Sequence, residues 1–355
     1  GMTTNIANSI ARVQGTQLKK AVMLFSKLRL NTPEVVLSVR PGNLSMTAMF
    51  GEKGLRVTLP SDAIGHDDCE LNLGSLKDIL SGVKGVIEIA TNGSVVINTT
   101  SGEIVLPFNP AKLALPNVKS EVAFVGSREL LKSLSKLLPF SATNEGKRNL
   151  YGVLIETQDS GLRLVASDGF RLGYADTAAV VMKEESSMIP LYFAKLLQGI
   201  LKLVPGSDVS IRADKSNVKI QGEYFELVFP RPDFDFPDYR RILPSRFKAE
   251  LKVNREELLE AINRSTGADK VRLTREDGVI SITGKIGEGN FTHKVNVAGE
   301  GEMRATYNPK FLKDALVAMD SELVTLEFVE PNSPLQLTPE DVETEKYLVM
   351  PIRDI

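Results

Sequence analysis

A lysine recurs at intervals of 118 residues in one helical context, and no other feature of the 355-residue chain restricts its fold so tightly. Around Lys77 the chain reads GSLKDILSG, around Lys195 YFAKLLQGI, and around Lys313 KFLKDALVA. Each stretch leads into alternating apolar residues, GVIEIATNGSVVIN, SDVSIRADKSNVKI and ELVTLEFVEPNSPLQL, the period-two pattern of a β-hairpin. A second marker agrees: VQGTQLKKAVMLF, VGSRELLKSLSKLL and VNREELLEAINRS each set a polar turn ahead of an amphipathic helix, at spacings of 112 and 128 residues. A unit of this length exceeds solenoid repeats and matches a whole domain. The expectation is an α+β chain of three tandem domains of one fold, each with two helices and many strands. Their boundaries fall inside LALPNVKSEV and FPDYRRILPSRF, giving residues 1–120, 121–245 and 246–355.

The helices hint at a charged face. In RELLKSLSKLL, Arg128, Lys132 and Lys136 recur at i, i+4 and i+8, while Leu130, Leu131, Leu134 and Leu138 take the other side. Lys20 and Lys27, Lys195 and Lys202, and Lys310 and Lys313 also have same-face spacing. Lysines that solvate an exposed helix are the plainer explanation for any one of these. Recurrence in five of six helices favours a common basic surface, although REELLEAINRS mixes acids with its arginines and fits poorly. Acid concentrates elsewhere, in HDDCE and PEDVETEK. The net charge of −2 excludes a uniformly basic nucleic-acid binder but allows such segregation.

Other function classes recede. The single Cys69 forms no internal disulfide, and with only His66 and His293 a structural zinc site is not expected, nor any cofactor. A reducing, cytoplasmic setting follows. No stretch approaches the roughly 18 apolar residues of a membrane span. GKIGEGN lacks the order of a phosphate-binding loop and reads as a hairpin turn, and no Gly-x-Ser-x-Gly elbow occurs. The carboxylates at 340–345 read as an acidic loop in water. The alternative for a β-rich repeat is a carbohydrate-binding or glycosidase scaffold, against which stand the absence of Trp and 6% aromatic content.

Four segments, VASDGFRLGYAD, FPDYRRILP, YNPKFLKDAL and YLVMPIR, resemble in order and spacing the signatures of the bacterial sliding clamp, the DNA polymerase III beta subunit family. Domains two and three carry the resemblance most clearly; domain one shares LNLGSLKDILSGVKG and the LALPNV joint. The resemblance implies three clamp domains per protomer and a head-to-tail homodimer closed as a ring around duplex DNA. Helices would line the hole. It also implies a non-catalytic accessory subunit of a DNA polymerase holoenzyme.

In that family a pocket between domains two and three takes short peptides of the polymerase alpha subunit, clamp-loader subunits and repair polymerases. The matching positions are Leu150, Ser167, Gly169, Phe170, Arg171 and Leu172, with Pro237, Arg241 and Ile242 from the joint. The third domain would add Asn308, Phe311, Asn332 and Pro334, and the run Leu348, Val349, Met350, Pro351, Ile352 and Arg353. Arg171, Arg241 and Arg353 would orient peptide polar groups. Arg240 has no such assignment, and its simplest role is structural. For DNA, the resemblance points to Arg29 in LRLNTP and to Asn144, Lys147 and Arg148 in FSATNEGKRNL. Lys20, Lys77, Arg128, Lys132, Lys136, Lys195, Lys202 and Lys313 complete the set from the helices. Phe170 stands where many relatives carry histidine, NRSTGADKVRL is shorter than usual, and Asp354 and Ile355 continue past Arg353.

Overall fold

The computed structural model describes residues 8–30 and 32–353; Asp354 and Ile355 lie outside them. One succession of elements occurs three times. The first passage runs β1 (Ser9–Gln14), α1 (Gly15–Ser26), β2 (Glu34–Arg40), β3 (Asn43–Phe50), β4 (Lys53–Pro60), β5 (Asp62–Ile64), β6 (Asp67–Asn72), α2 (Leu73–Ile79), β7 (Val86–Thr91), β8 (Ser94–Thr99) and β9 (Gly102–Pro107), with a short β10 (Asn109–Pro110) behind it. The second runs β11 (Glu121–Gly126), α3 (Ser127–Leu137), β12 (Gly152–Thr157), β13 (Gly161–Ser167), β14 (Arg171–Val181), β15 (Ser186–Pro190), α4 (Leu191–Leu203), β16 (Asp208–Ala213), β17 (Asn217–Gln221) and β18 (Phe225–Pro230). The third runs β19 (Ala249–Asn254), α5 (Arg255–Asn263), β20 (Val271–Glu276), β21 (Val279–Ile286), β22 (Gly289–Glu300), β23 (Arg304–Tyr307), α6 (Pro309–Ala318), β24 (Leu323–Phe328), β25 (Leu335–Pro339) and β26 (Glu345–Val349).

The pairing repeats with the order, and all of it is antiparallel. The opening strand of each passage pairs with the strand after the second helix: β1 with β7, β11 with β16, β19 with β24. In the later passages one long strand serves two neighbours. Residues 172–178 of β14 pair with β13 and 179–181 with β11, while residues 289–296 of β22 pair with β21 and 297–300 with β19. The first passage divides that strand at Ser61, so that β4 pairs with β3 and β5 with β1.

The described residues group into two compact units, and the second passage is shared between them. One unit holds residues up to 131 with 179–183 and 195–231; the other holds 132–178, 184–194 and 232 onward. In the first, β5-β1-β7-β8-β9 form one sheet, and β10-β6-β2-β3-β4-β18-β17-β16-β11 form another that runs on into the end of β14. In the second unit the order is β15-β12-β13-β14-β26-β25-β24-β19-β22-β21-β20-β23. Each unit therefore contains one seam between passages. Leu55 lies opposite Leu227 where β4 meets β18, and Leu172 opposite Leu348 where β14 meets β26.

Local sequence explains the elements. In α3, Leu130, Leu134 and Leu137 are buried at i, i+4 and i+7, and Arg128 and Lys132 face solvent. Leu131 and Leu138, expected in the core stripe, are only half-buried. The reason lies at the end of the helix: a 3-10 turn at Leu138–Phe140, carrying Pro139, changes the phase and buries Phe140 instead. Asn72, Asn254 and Asn308 cap α2, α5 and α6, each side chain accepting a backbone N–H of the first turn. No helix of the described residues is long and apolar enough to cross a membrane.

Candidate functional site

The turn between β13 and β14 is rigid by virtue of its own sequence. Asp168 Oδ1 accepts the backbone N–H groups of Phe170 (2.8 Å) and Arg171 (3.1 Å), an Asx-type turn. Gly169 takes a φ of +92°, a conformation that disfavours side chains. Ser167 Oγ donates to the Arg171 carbonyl (2.7 Å) and accepts from the Gly169 N–H (3.2 Å). The Phe170 ring is thereby held in solvent, 57% exposed. Met350 donates its N–H to the Phe170 carbonyl (2.9 Å), and Ile352 its N–H to the Thr306 carbonyl (2.8 Å), so the C-terminal strand is fixed beside the turn.

Beneath this rim lies a packed base. Leu154, Val165, Leu172, Tyr174, Tyr239 and Leu348 form a buried cluster, with Phe236 and Leu243 of the joint packed against it. Of the residues expected to line the peptide pocket, Leu172, Leu348, Val349 and Ser167 are buried. Phe170, Ile242 (49% exposed) and Met350 (37%) supply the open apolar surface. Leu150 is half-buried, its Cδ1 near Gly169. Leu335, next to Pro334, pairs with Val349, which brings the Asn332 turn alongside the C-terminal strand. Pro237, Arg241 and Arg353 are exposed and Pro351 is half-buried; Arg241 pairs with Asp238 at 3.1 Å. Asn308 serves as the cap of α6.

Arg171 departs from expectation. Its side chain is largely enclosed, bonded to Asp314 on α6 (2.5 Å) and Asp168 (3.2 Å), and its guanidinium lies 4.3 Å from the centre of the Phe311 ring. It braces the second and third passages and has little capacity left to orient a ligand. Lys147 and Arg148 also have partners on this side of the molecule. Lys147 Nζ donates to the Asp168 carbonyl (2.8 Å) and lies 4.7 Å from the Phe170 ring centre; Arg148 lies 5.5 Å from that of Phe234. Asn144 Oδ1 accepts the Gly146 N–H within the same loop.

The joint is pinned by a network the sequence did not announce. Tyr239 is buried and donates its hydroxyl to Glu156 Oε1 (2.8 Å), and Arg240 grips the same carboxylate. Arg163 pairs with Asp176 (2.7 Å) and stacks 3.9 Å over the Tyr174 ring. Burial pushes the Tyr239 phenol up to about 12. Burial also acts to raise Glu156, but the hydrogen bonds from Arg240 and Tyr239 outweigh it and hold the carboxyl below its ordinary range. Arg240 is thus structural, as its lack of a pocket assignment implied.

Basic side chains of the helices divide into two kinds. Lys19, Lys20, Lys27 and Lys202 surround a cavity of about 470 Å³ between α1 and α4, floored by Met23, Leu24 and Gly199. Gly199 permits that close approach, since a Cβ there would meet Leu24 at 2.8 Å. Arg29, Lys77, Arg128 and Lys195 are exposed, and Lys313 is half-buried. Lys132 and Lys136 instead meet acids of the third passage: Lys132 pairs with Asp320 (3.2 Å), and Lys136 with Glu345 (2.7 Å) and Asp320 (3.5 Å). Lys136 is only 15% exposed, and Tyr347 donates to the same Glu345 oxygen. The unpaired basic stripe of α3 therefore stops at Arg128, because Lys132 and Lys136 both meet acids and Lys136 neutralises a buried carboxylate.

Residues 240–353 match the model of the DNA polymerase III beta subunit, C-terminal domain. The beta sliding clamp of Vibrio cholerae is 27% identical over 348 residues, covering 90% of this chain and 91% of that protein. That of Staphylococcus epidermidis is 24% identical over 351 residues, with the same coverage. The crystal structure of the DNA polymerase III beta subunit of Thermotoga maritima superposes with a TM-score of 0.84 at 27% identity, over 98% of this chain and 100% of that one. A Pseudomonas aeruginosa sliding clamp bound to griselimycin gives 0.84 at 21% identity, also over 98% and 100%. Over nearly its whole length this chain is similar to beta sliding clamps, and its residues 240–353 fall in the family of the beta subunit's C-terminal domain.

Proposed function

We propose that this chain is a DNA-encircling processivity factor, a clamp that tethers a replicative polymerase and repair proteins to duplex DNA and performs no chemistry itself. The observation that supports it best is an unfinished pattern of strand pairing. The strand that follows the β3-type hairpin partner in one passage is met by the last strand of the next: β4 by β18, and β14 by β26. The same rule leaves residues 289–296 of β22 and the whole of β9 with one neighbour each among the described residues. A second copy would supply both missing partners, β22 of one chain meeting β9 of the next in a heterologous contact that closes into a ring. The number of copies, two, is taken from the family resemblance. Val105 on β9 is 57% exposed and Ile286, at the β21–β22 turn, 46%, apolar surface that such a contact would cover.

The three domains, 1–120, 121–245 and 246–355, then carry the helices that line the hole. Lys20 and Lys202, with Lys19 and Lys27 beside them, and Arg29, Lys77, Arg128, Lys195 and Lys313 would meet phosphates. Contacts of that kind are blind to sequence and screened by salt, as sliding requires. Short peptides of the polymerase, clamp loader and repair proteins would bind over Phe170, Ile242 and Met350 in the cytoplasm. The gain is in effective concentration, since a tethered polymerase rebinds its primer before it diffuses away.

Loading onto circular DNA provides the test. The protein should stay on the circle and leave when the circle is linearised. Retention on neither form, together with no binding of polymerase-derived peptides, would overturn the proposal. Val105→Asp should shift sedimentation toward the monomer without unfolding the chain.

A further inference from the structure

The four-stranded part of the second unit's sheet, β23-β20-β21-β22, presents a face on which cations outnumber acids. Strand register defines its rows. Thr306, Arg272, Thr283 and Thr292 lie directly opposite one another, so they share that face. Two residues along, Arg304, Thr274, Ser281 and Lys294 form the next row, and on the other side Lys285 lies opposite Asn290. These rows contain four cations and no acid. Asp269 and Lys270 stand at the rim of a cavity of about 620 Å³ that includes Arg272, Lys285 and the three threonines. Glu276, farther along, accepts from Ser281 Oγ (3.0 Å).

Among the described residues, the exposed strand cations Arg12 and Lys252, and Lys248 just ahead of β19, are matched across the ladder or the adjoining loop. Arg12 pairs with Glu88 and Asp62, Lys248 with Glu330, and Lys252 with Glu340. No ion pair joins Lys270, Lys285, Lys294 or Arg304 to an acid among the described residues. Like charges gathered on one sheet face are unfavourable unless something opposes them.

We propose that this face docks an extended, acidic polypeptide segment of a partner protein. Guanidinium and ammonium groups spaced by hydroxyl donors suit carboxylates on a strand-like chain, the arginines through paired hydrogen bonds. A single-stranded nucleic acid fits less well. Its binding relies on successive aromatic platforms, whereas the cavity has a single aromatic, Phe291, whose ring is stacked on His293 at 5.2 Å. The face is distinct from the Phe170 rim; its β22 residues Thr292 and Lys294 border the edge that ring closure would use, whereas Arg272 and Arg304 lie two and three strands farther in.

The test uses the full chain and a fluorescein-labelled disordered peptide of Glu, Gly and Ser, followed by anisotropy. Saturable binding at low salt that disappears at high salt is expected. Arg272→Gln with Lys285→Gln should weaken it about tenfold or more, and Lys294→Gln with Arg304→Gln should do the same. The groove variant Phe170→Ala with Met350→Ala should bind the peptide unchanged. The proposal is overturned by absence of saturable binding at low salt, or by unchanged affinity in both cationic double variants. It is equally overturned if a single-stranded oligonucleotide of matched charge displaces the peptide better than unlabelled peptide does.

Discussion

The two seams between passages use one pairing geometry to opposite ends. At β4 and β18 the joint is sealed: Leu55 and Leu227 are fully buried, the Leu115 side chain lies against Gly54, and buried Lys219 holds both Glu226 (3.0 Å) and the Pro116 carbonyl (3.3 Å). The connector between passages one and two is thus drawn down over its seam. At β14 and β26 the opposed Leu172 and Leu348 are just as buried, but the connector is anchored to one side by Tyr239 and Arg240 on Glu156. Phe170, Ile242 and Met350 are left uncovered. Where the connector is tied decides whether a seam is covered or leaves apolar side chains open.

The ion pairs behind the seams offer the largest contrast. Lys136→Met should leave Glu345, 6% exposed, without its cation, and the cost should be about 3 kcal/mol in urea denaturation. Lys219→Met at the sealed seam should cost about half as much, because Glu226 retains access to water. Equal losses would mean that the two seams are braced alike.

Next in size is the groove itself. Phe170→Ala with Met350→Ala should weaken binding of polymerase-derived peptides by about 2 kcal/mol, near thirtyfold, with the melting temperature and sedimentation of the wild type. Leu115→Ala at the sealed seam should do the reverse, lowering stability by about 1 to 2 kcal/mol and leaving peptide affinity alone. Arg171→Ala would blur this contrast, since it frees Asp314 and Asp168 and loosens the brace as well.

What the sequence revealed follows the range of the interactions involved. The triplicated order of elements was legible because helix and strand periods are local, and Asp168-Gly169 signals a turn within two residues. The exposed rim could be reached through motif resemblance. Lys136 and Lys147 could not be judged that way: each lies on a chemically plausible stripe or loop, and its partner, Glu345 or the Asp168 carbonyl, is distant in the chain. Glu156 and Tyr239 are 83 residues apart and gave no local sign of meeting. Unfinished sheet edges were also invisible, since an unpaired strand has the same alternation as a paired one.

The smallest expected effect concerns the anchor that sets the connector aside. In the fold the Glu156 carboxyl titrates below its ordinary range, so it contributes stability at pH values above the unfolded carboxylate range, and that contribution fades as pH falls through the folded value. Arg240→Ala removes one of its two hydrogen-bonding partners. Because the Arg240 side chain is half exposed, solvent screening limits the loss to about 1 kcal/mol at neutral pH. The difference between wild type and variant should shrink on acidification, as protonation of Glu156 removes the charge that Arg240 meets. Peptide affinity should fall with stability in this variant, since the freed connector carries Ile242 and can settle over the groove, which is the sealed arrangement of the other seam. A variant with lowered stability at neutral pH but unchanged peptide affinity would show that the anchor holds the joint without shaping the groove.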